Sequence, residues 1–475
     1  MTWPSAWIVW LVPLLFGSGV WAACAGWPRR AHESLVTLAG GWIVGMLMCG
    51  MLARLLSAAD LSSAPLRVGA SAAVLGAGAW GLAWFLRRPA LPAASVRPTR
   101  MEWAVIAAVL VLLGWRGWII ANDILLRPTL PWDAWAIWQA KAKAWMLAGQ
   151  ATPYVSFEHW LSSPTAQART AGAWNYPDLL PWTIVWFAGS GGWIEPWINL
   201  AWFGLWCALL FAQYGQWRAL DVPRSAAFVG VYALGSLPLI DAHAALGGYA
   251  DLWLAALLSL GVHAWLRWRR DGGRGPLLIA AGVVLLLPMI KLEGAAWSIM
   301  LAAACVFGAL PAHMQGRRFL IGVAVAGAAI ALSFAFGVAW IATLRHYVGD
   351  GLMIGVDQIG HSIAALANAL WGQWNWNLLW FALPVALVWN RAAWSRDPTV
   401  RRLLVLAAIP LFLILGLFVF TTASRYAQSY SAVNRLLLQM APLLVSLLVF
   451  VLSPSTARSD ARGDQAGARA ATASA

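Results

Sequence analysis

Apolar stretches of membrane-crossing length recur from one end of this chain to the other, and charge is scarce inside them. A helix needs roughly 20 apolar residues to cross the hydrocarbon of a bilayer, and in lipid a helix is one of the few structures that satisfies its own backbone. Of the 475 residues, 61% are hydrophobic and 11% charged, against about 25% charged in a soluble chain. The pattern predicts an all-α, polytopic transmembrane bundle and excludes a soluble enzyme or a nucleic-acid-binding domain.

The net charge of +14 is read by position, because Lys and Arg collect in cytoplasmic loops. A first span before Arg29 and Arg30, without a basic region ahead of it, reads as retained, with the N-terminus outside. Further spans are expected at 35–54, 68–86 and 102–121, which puts Arg87, Arg88, Arg97 and Arg100 in the cytoplasm and the loop 122–182 outside. The segment 179–191 is too short to cross and reads as re-entrant. Nine more spans then follow, at 196–213, 225–240, 250–266, 276–290, 294–310, 318–341, 376–390, 402–421 and 436–453. Thirteen spans leave most of the 32 Lys and Arg residues on one side. The tail 454–475 is small, polar and aperiodic, and is expected to be disordered in the cytoplasm. Cys24, Cys49, Cys207 and Cys305 sit in apolar runs without metal or disulfide spacing, and no metal ligand set is assigned. The 35 tryptophans suit headgroup anchoring.

The loop 122–182 is the longest stretch that no bilayer core would accept. Within it PWDAWAIWQAKAKAWMLAG predicts an amphipathic interfacial helix, with Trp135, Trp138, Ala142 and Trp145 on a lipid-facing stripe and Lys141 and Lys143 as snorkelling anchors or phosphate ligands. Asp133 projects to the other side, as a helix cap or a functional carboxylate. A second outer turn carries Asp241, His243, Tyr249 and Asp251. The two carboxylates with a His suit a divalent cation such as Mg or Mn, or sugar hydroxyls, or Asp251 simply caps the helix that follows. Lys291 and Glu293 interrupt a long apolar stretch, as an ion pair or part of a polar site. Arg425, Tyr426, Tyr430 and Arg435 stand at the mouth of the last span, where an arginine entering an apolar helix seeks an anion such as a lipid phosphate.

The order WDAW, NYPDLLPW, GGYADLWLA, KLEG and NRLLLQMAPLL resembles the GT-C class of membrane glycosyltransferases, the superfamily of protein O-mannosyltransferases and aminoarabinose transferases. The similarity covers 101–453 as a catalytic domain and leaves 1–100 as extra N-terminal helices. The resemblance implies a polyprenyl-phosphate-linked sugar as donor, an acceptor hydroxyl on a lipid, glycan or protein, and inversion at the anomeric carbon with Asp133 as general base. It implies Arg435, Lys291 and Lys141 at the donor phosphate, and Tyr176, Asp178, Asp251, Glu293, His243 and Tyr426 around the sugar or acceptor. Family members often carry a second carboxylate beside the catalytic one, where this chain has Ala134. The Arg-, Ala- and Trp-rich composition fits a GC-rich bacterial genome, so the outer face is expected to be the periplasmic face of an inner membrane. The alternative is a transporter or a flippase of lipid-linked sugars. Such proteins place charge at mid-span in broken helices, whereas most of the charge here lies in loops of one face.

Overall fold

The computed structural model describes residues 3–87, 98–162, 167–189, 192–309 and 358–453. The expected span 318–341, Arg88, Arg97 and the tail 454–475 lie outside them. The described residues form an all-α bundle apart from one pair of two-residue strands. The helices are α1 (Trp3–Ala25), α2 (Ala31–Ser57), α3 (Ala64–Phe85) and α4 (Arg100–Leu126), then, after a loop, α5 (Gln139–Ala148), α6 (Phe157–Ser162), α7 (Leu179–Ala188) and α8 (Glu195–Ala219). They continue with α9 (Arg224–Gly235), α10 (Pro238–Ala245), α11 (Asp251–Asp271), α12 (Arg274–Ile290), α13 (Glu293–Ala309), α14 (Ile359–Ala367), α15 (Leu379–Trp389), α16 (Arg391–Arg396), α17 (Pro398–Phe420), α18 (Ser424–Gln428) and α19 (Val433–Leu452).

Seven described helices are long and apolar enough to cross a membrane: α1, α2, α3, α4, α8, α17 and α19. The expected span at 225–240 is instead a broken pair, α9 and α10, bent by 62° where Pro238 opens the second helix. Counting it as one span gives eight among the described residues; of the other expected spans, 318–341 lies outside them. Helices α12 and α13 have 17 residues each and α15 has 11, at or below the short end of a full crossing, and α11 is 21 residues long but ends in the charged run 267–271. Helix α7, within the expected re-entrant segment, has ten residues, all of them buried by protein.

Helix α11 is the axis of the bundle. It is buried without interruption from Asp251 to Leu266 and packs on α8, α12, α13 and α19. Its enclosed polar side chains, Asp251, Ser259 and His263, are all hydrogen-bonded, which is what lets the helix be enclosed. The first helices are not a detached unit, since α2 lies against both α7 and α8. Close approach of α1 and α2 depends on glycine. A Cβ at Gly45 would stand 2.0 Å from the Pro13 carbonyl oxygen, a small-residue contact of the kind membrane helices use.

Contacts show which connections share an end of the bundle. The turn between α2 and α3 bonds the loop that follows α4 through Leu61 N–H to Gly149 O (2.9 Å) and Ala151 N–H to Ala58 O (2.7 Å). In that turn Asp60 is held down to about 2 by hydrogen bonds from the Ser62 and Ser63 hydroxyls. At the opposite end Arg270 joins Asp221 at 2.9 Å and Asp271 at 2.7 Å.

Candidate functional site

Five charged side chains from distant parts of the chain meet at the loop end of the bundle. Asp133 ends the loop that follows α4. The next residues, Ala134–Trp138, form a π-turn that runs into α5, a feature frequent at functional sites. This turn presses against Gly248, whose φ of +117° and missing side chain are both required: a Cβ there would lie 2.3 Å from that of Ala134. Asp133 is buried and makes no capping bond with its side chain, so the helix-cap reading is corrected. Its carboxylate faces Arg435 instead. Nη2 of Arg435 donates to Asp133 Oδ2, and Nη1 donates to Oδ1 at 3.3 Å. This two-pronged pairing is the geometry a guanidinium favours with a carboxylate.

Arg435 holds a second carboxylate. Its Nε donates to Asp251 Oδ2 at 2.8 Å, and the guanidinium lies 5.0 Å from the Tyr249 ring centre. Asp251 opens α11 and is fully enclosed. Its other oxygen accepts from Lys291 Nζ at 3.0 Å and Gln439 Nε2 at 2.7 Å, so Asp251 too is no helix cap. Lys291 lies at the break between α12 and α13 and also pairs with Glu293 at 3.0 Å. Lys291 and Glu293 thus form the expected ion pair, and Lys291 also joins Asp251 in the cluster. Gln439 in turn accepts from Trp297 Nε1 at 2.5 Å. Three carboxylates share two cations, and burial of such a group is tolerable only when each charge is paired.

Around this core, His243 packs on Tyr249 with ring centres 4.8 Å apart and Nδ1 on the Leu239 carbonyl at 2.9 Å. Its buried Nε2 and the buried Oε2 of Glu293 meet no hydrogen-bond partner among the described residues. Both are polar atoms left for a ligand or water. Asp241 does not join Asp251: it pairs with Arg116 of α4. Among the described residues no three His, Cys, Asp or Glu side chains gather as metal ligands.

Lys141 departs furthest from expectation. It is 1% exposed, and its ammonium donates to Asp178 Oδ1 (2.9 Å), Trp174 O (3.0 Å) and Tyr176 O (3.1 Å). Three acceptors use its three N–H groups, leaving none for a lipid phosphate. It pins the 174–178 loop over the helix. The reason is that the supposed lipid-facing stripe faces protein: Trp138, Ala142 and Trp145 are buried and only Trp135 is exposed. Tyr176 packs edge-on against Trp138 at 5.3 Å, and burial, with the Glu293 carboxylate near it, pushes its hydroxyl up. Lys143 is half-exposed and pairs with Glu195 at 3.3 Å. Tyr426 does not reach the cluster; it is exposed and accepts from Arg425 at 3.0 Å.

Sequence reasoning missed Gln439 and Trp297. Gln439 carried a signal, as an amide inside an apolar run four residues after Arg435 and hence on the same helix face. Trp297 carried none, being one indole among many.

Fold and site define an all-α bundle with membrane-length helices and a buried ionic cluster at one end. No family model, curated protein or solved structure matches this chain.

Proposed function

We propose that the chain is a multi-pass membrane glycosyltransferase of the bacterial inner membrane, moving a sugar from a polyprenyl-phosphate donor to a hydroxyl acceptor on the periplasmic side. One observation carries the reading: a single guanidinium, Arg435, is shared by Asp133 and Asp251 beside the ammonium of Lys291. In the reaction Asp133 accepts the proton of the acceptor hydroxyl as its oxygen bonds to the anomeric carbon. The bond from that carbon to the phosphate oxygen breaks, with inversion. Protonation cancels the charge on Asp133 as the departing phosphate gains charge, so Arg435 passes from the carboxylate to the phosphate. Asp251 keeps both cations in place throughout. A positioned base contributes about 10²–10⁴ in rate, and fixed cations at the leaving oxygen act without reorganisation.

The test is donor cleavage by wild type and Asp133→Asn in reconstituted vesicles, with a panel of polyprenyl-phosphate sugars. Wild type is expected to release polyprenyl phosphate, and the variant to be slower by at least about a hundredfold. Equal rates would remove Asp133 from the chemistry. A second reading, a transporter or flippase, is favoured by the broken pair α9 and α10, with Asp241 of α10 bound to Arg116 inside α4. Movement of an intact lipid-linked sugar across the vesicle, with no donor cleaved, would select it.

A further inference from the structure

Between α1, α2 and α3 an open groove of about 380 Å³ runs along the membrane-length helices, lined by Leu11, Leu14, Leu15, Ser18, Leu38 and Trp80. Its two polar groups answer one another: Trp80 Nε1 donates to Ser18 Oγ at 3.3 Å, and that hydroxyl donates to the Leu14 carbonyl. The wall therefore presents hydrocarbon. Trp80 also leads out of the groove. Its ring meets Trp27 at 5.2 Å, Trp27 meets Trp84 at 5.6 Å, and the Arg87 guanidinium lies over the Trp84 ring, 3.1 Å from its centre. We infer that the groove holds one acyl chain of an anionic phospholipid whose phosphate sits on Arg87, at the end of the bundle opposite the ionic cluster.

Shape, depth and charge lead to that occupant. From Leu11 to Ser18 the groove follows α1 for about 10 Å, which makes its section roughly 40 Å², about half of what a helix 10 Å across would fill. A hydrocarbon chain fits where a helix of a second copy does not. The three indoles stand between the apolar groove and the guanidinium, the order of hydrocarbon, interface and headgroup in a bilayer. Arg87 rests on Trp84 through the face of its guanidinium, so the N–H donors at its edge stay available as the fork that a phosphate accepts. It is exposed and joins no ion pair among the described residues. Arg29 and Arg30 follow Trp27 by two and three positions, and the nearby carboxylate of Glu33 is taken up by their backbone N–H groups at 2.8 and 3.3 Å. This mouth thus carries positive charge in excess, which suits an anionic headgroup. The inference needs only the membrane bundle and is independent of the glycosyltransferase reading.

The experiment is native mass spectrometry of the full chain, released from detergent micelles that contain phosphatidylglycerol and phosphatidylcholine in equal amounts. Wild type is expected to retain phosphatidylglycerol in preference to phosphatidylcholine. Arg87→Gln, at an exposed position, is expected to lower that preference about fivefold, the effect of one arginine near an anionic lipid. Leu38→Trp places an indole in the groove from a site that is 43% exposed, and is expected to lose the retained lipid of either kind. Leu11→Trp, at a site 56% exposed, takes its place if that variant fails to fold. Equal retention of the two lipids by wild type, an undiminished preference in Arg87→Gln, undiminished retention in the groove variant, or a lipid-free dimer whose partner covers this face would each overturn the inference.

Discussion

Helices α11 and α19 are tied together at two levels, by opposite kinds of chemistry. At the loop end Asp251 of α11 meets Arg435 and Gln439 of α19, with ionised groups on both sides. Twelve residues further along α11, about 18 Å deeper, every tie is neutral. There Gln213 of α8 donates to Ser446 Oγ at 2.9 Å and accepts from Ser259 Oγ at 2.5 Å. His263 presents Nε2 to Gln213 at 3.1 Å and Nδ1 to the Ser259 carbonyl at 2.8 Å, so its two nitrogens act as acceptor and donor of a neutral ring. Trp217 donates to Ser446 Oγ at 3.0 Å. Far from water an ion costs several kcal/mol whatever its partner, whereas a closed set of neutral donors and acceptors costs little. Charge is kept at the loop end, and the deep level holds the helices with neutral groups alone.

The comparison breaks first at Asp251. Asp251→Ala removes the shared partner of Lys291 and Arg435 and leaves buried positive charge short of compensation. The expected loss is about 3–5 kcal/mol, read as a lowered unfolding midpoint in detergent. Reversal of the cost by Arg435→Met in the same chain would confirm that the unpaired charge is its source. A loss below about 1 kcal/mol would mean that water already reaches the cluster and that it is not the enclosed ionic tie described above.

Two lysines two positions apart give the next test. Lys141→Met strands the Trp174 and Tyr176 carbonyls and frees Asp178, and is expected to cost about 1–3 kcal/mol. Lys143→Met removes a half-exposed pair with Glu195 and is expected to cost less than about 1 kcal/mol. Equal costs by chemical unfolding would deny that the helix has a buried face and a half-exposed one.

These lysines also mark what the sequence could carry. The distinction between loop end and basic end was legible, because charge and hydropathy are local properties, and so were Asp133, Asp251, Lys291, Glu293 and Arg435 as residues out of place in apolar surroundings. Their pairing was not. Asp133 and Arg435 lie 302 positions apart and Asp251 and Arg435 184 apart, and no periodicity reaches across such distances. Periodicity likewise gave the stripe of Trp138, Ala142 and Trp145 without saying what covers it. The cover is the 174–178 loop together with α7, whose Trp182 meets Trp145 at 4.8 Å. An apolar stripe cannot tell lipid from tryptophan.

The deep level gives a modest effect and the sharpest contrast with the ionic one. Ser446→Ala creates no charge and almost no cavity, but it takes the acceptor from both Gln213 and Trp217. Hydrogen bonds between membrane helices contribute about 0.6 kcal/mol on average, and stranded buried donors add their own penalty. The expected loss is about 1–2 kcal/mol, less than half of that for Asp251→Ala. In a Trp217→Phe background one of the two donors is already gone, so the same serine change should cost less, and the difference measures their coupling. Donor cleavage should follow stability alone here, because the serine is about eleven residues, near 16 Å, along α19 from Arg435. A Ser446→Ala variant that folds well but loses activity as Asp133→Asn does would show that the two levels form one functional unit.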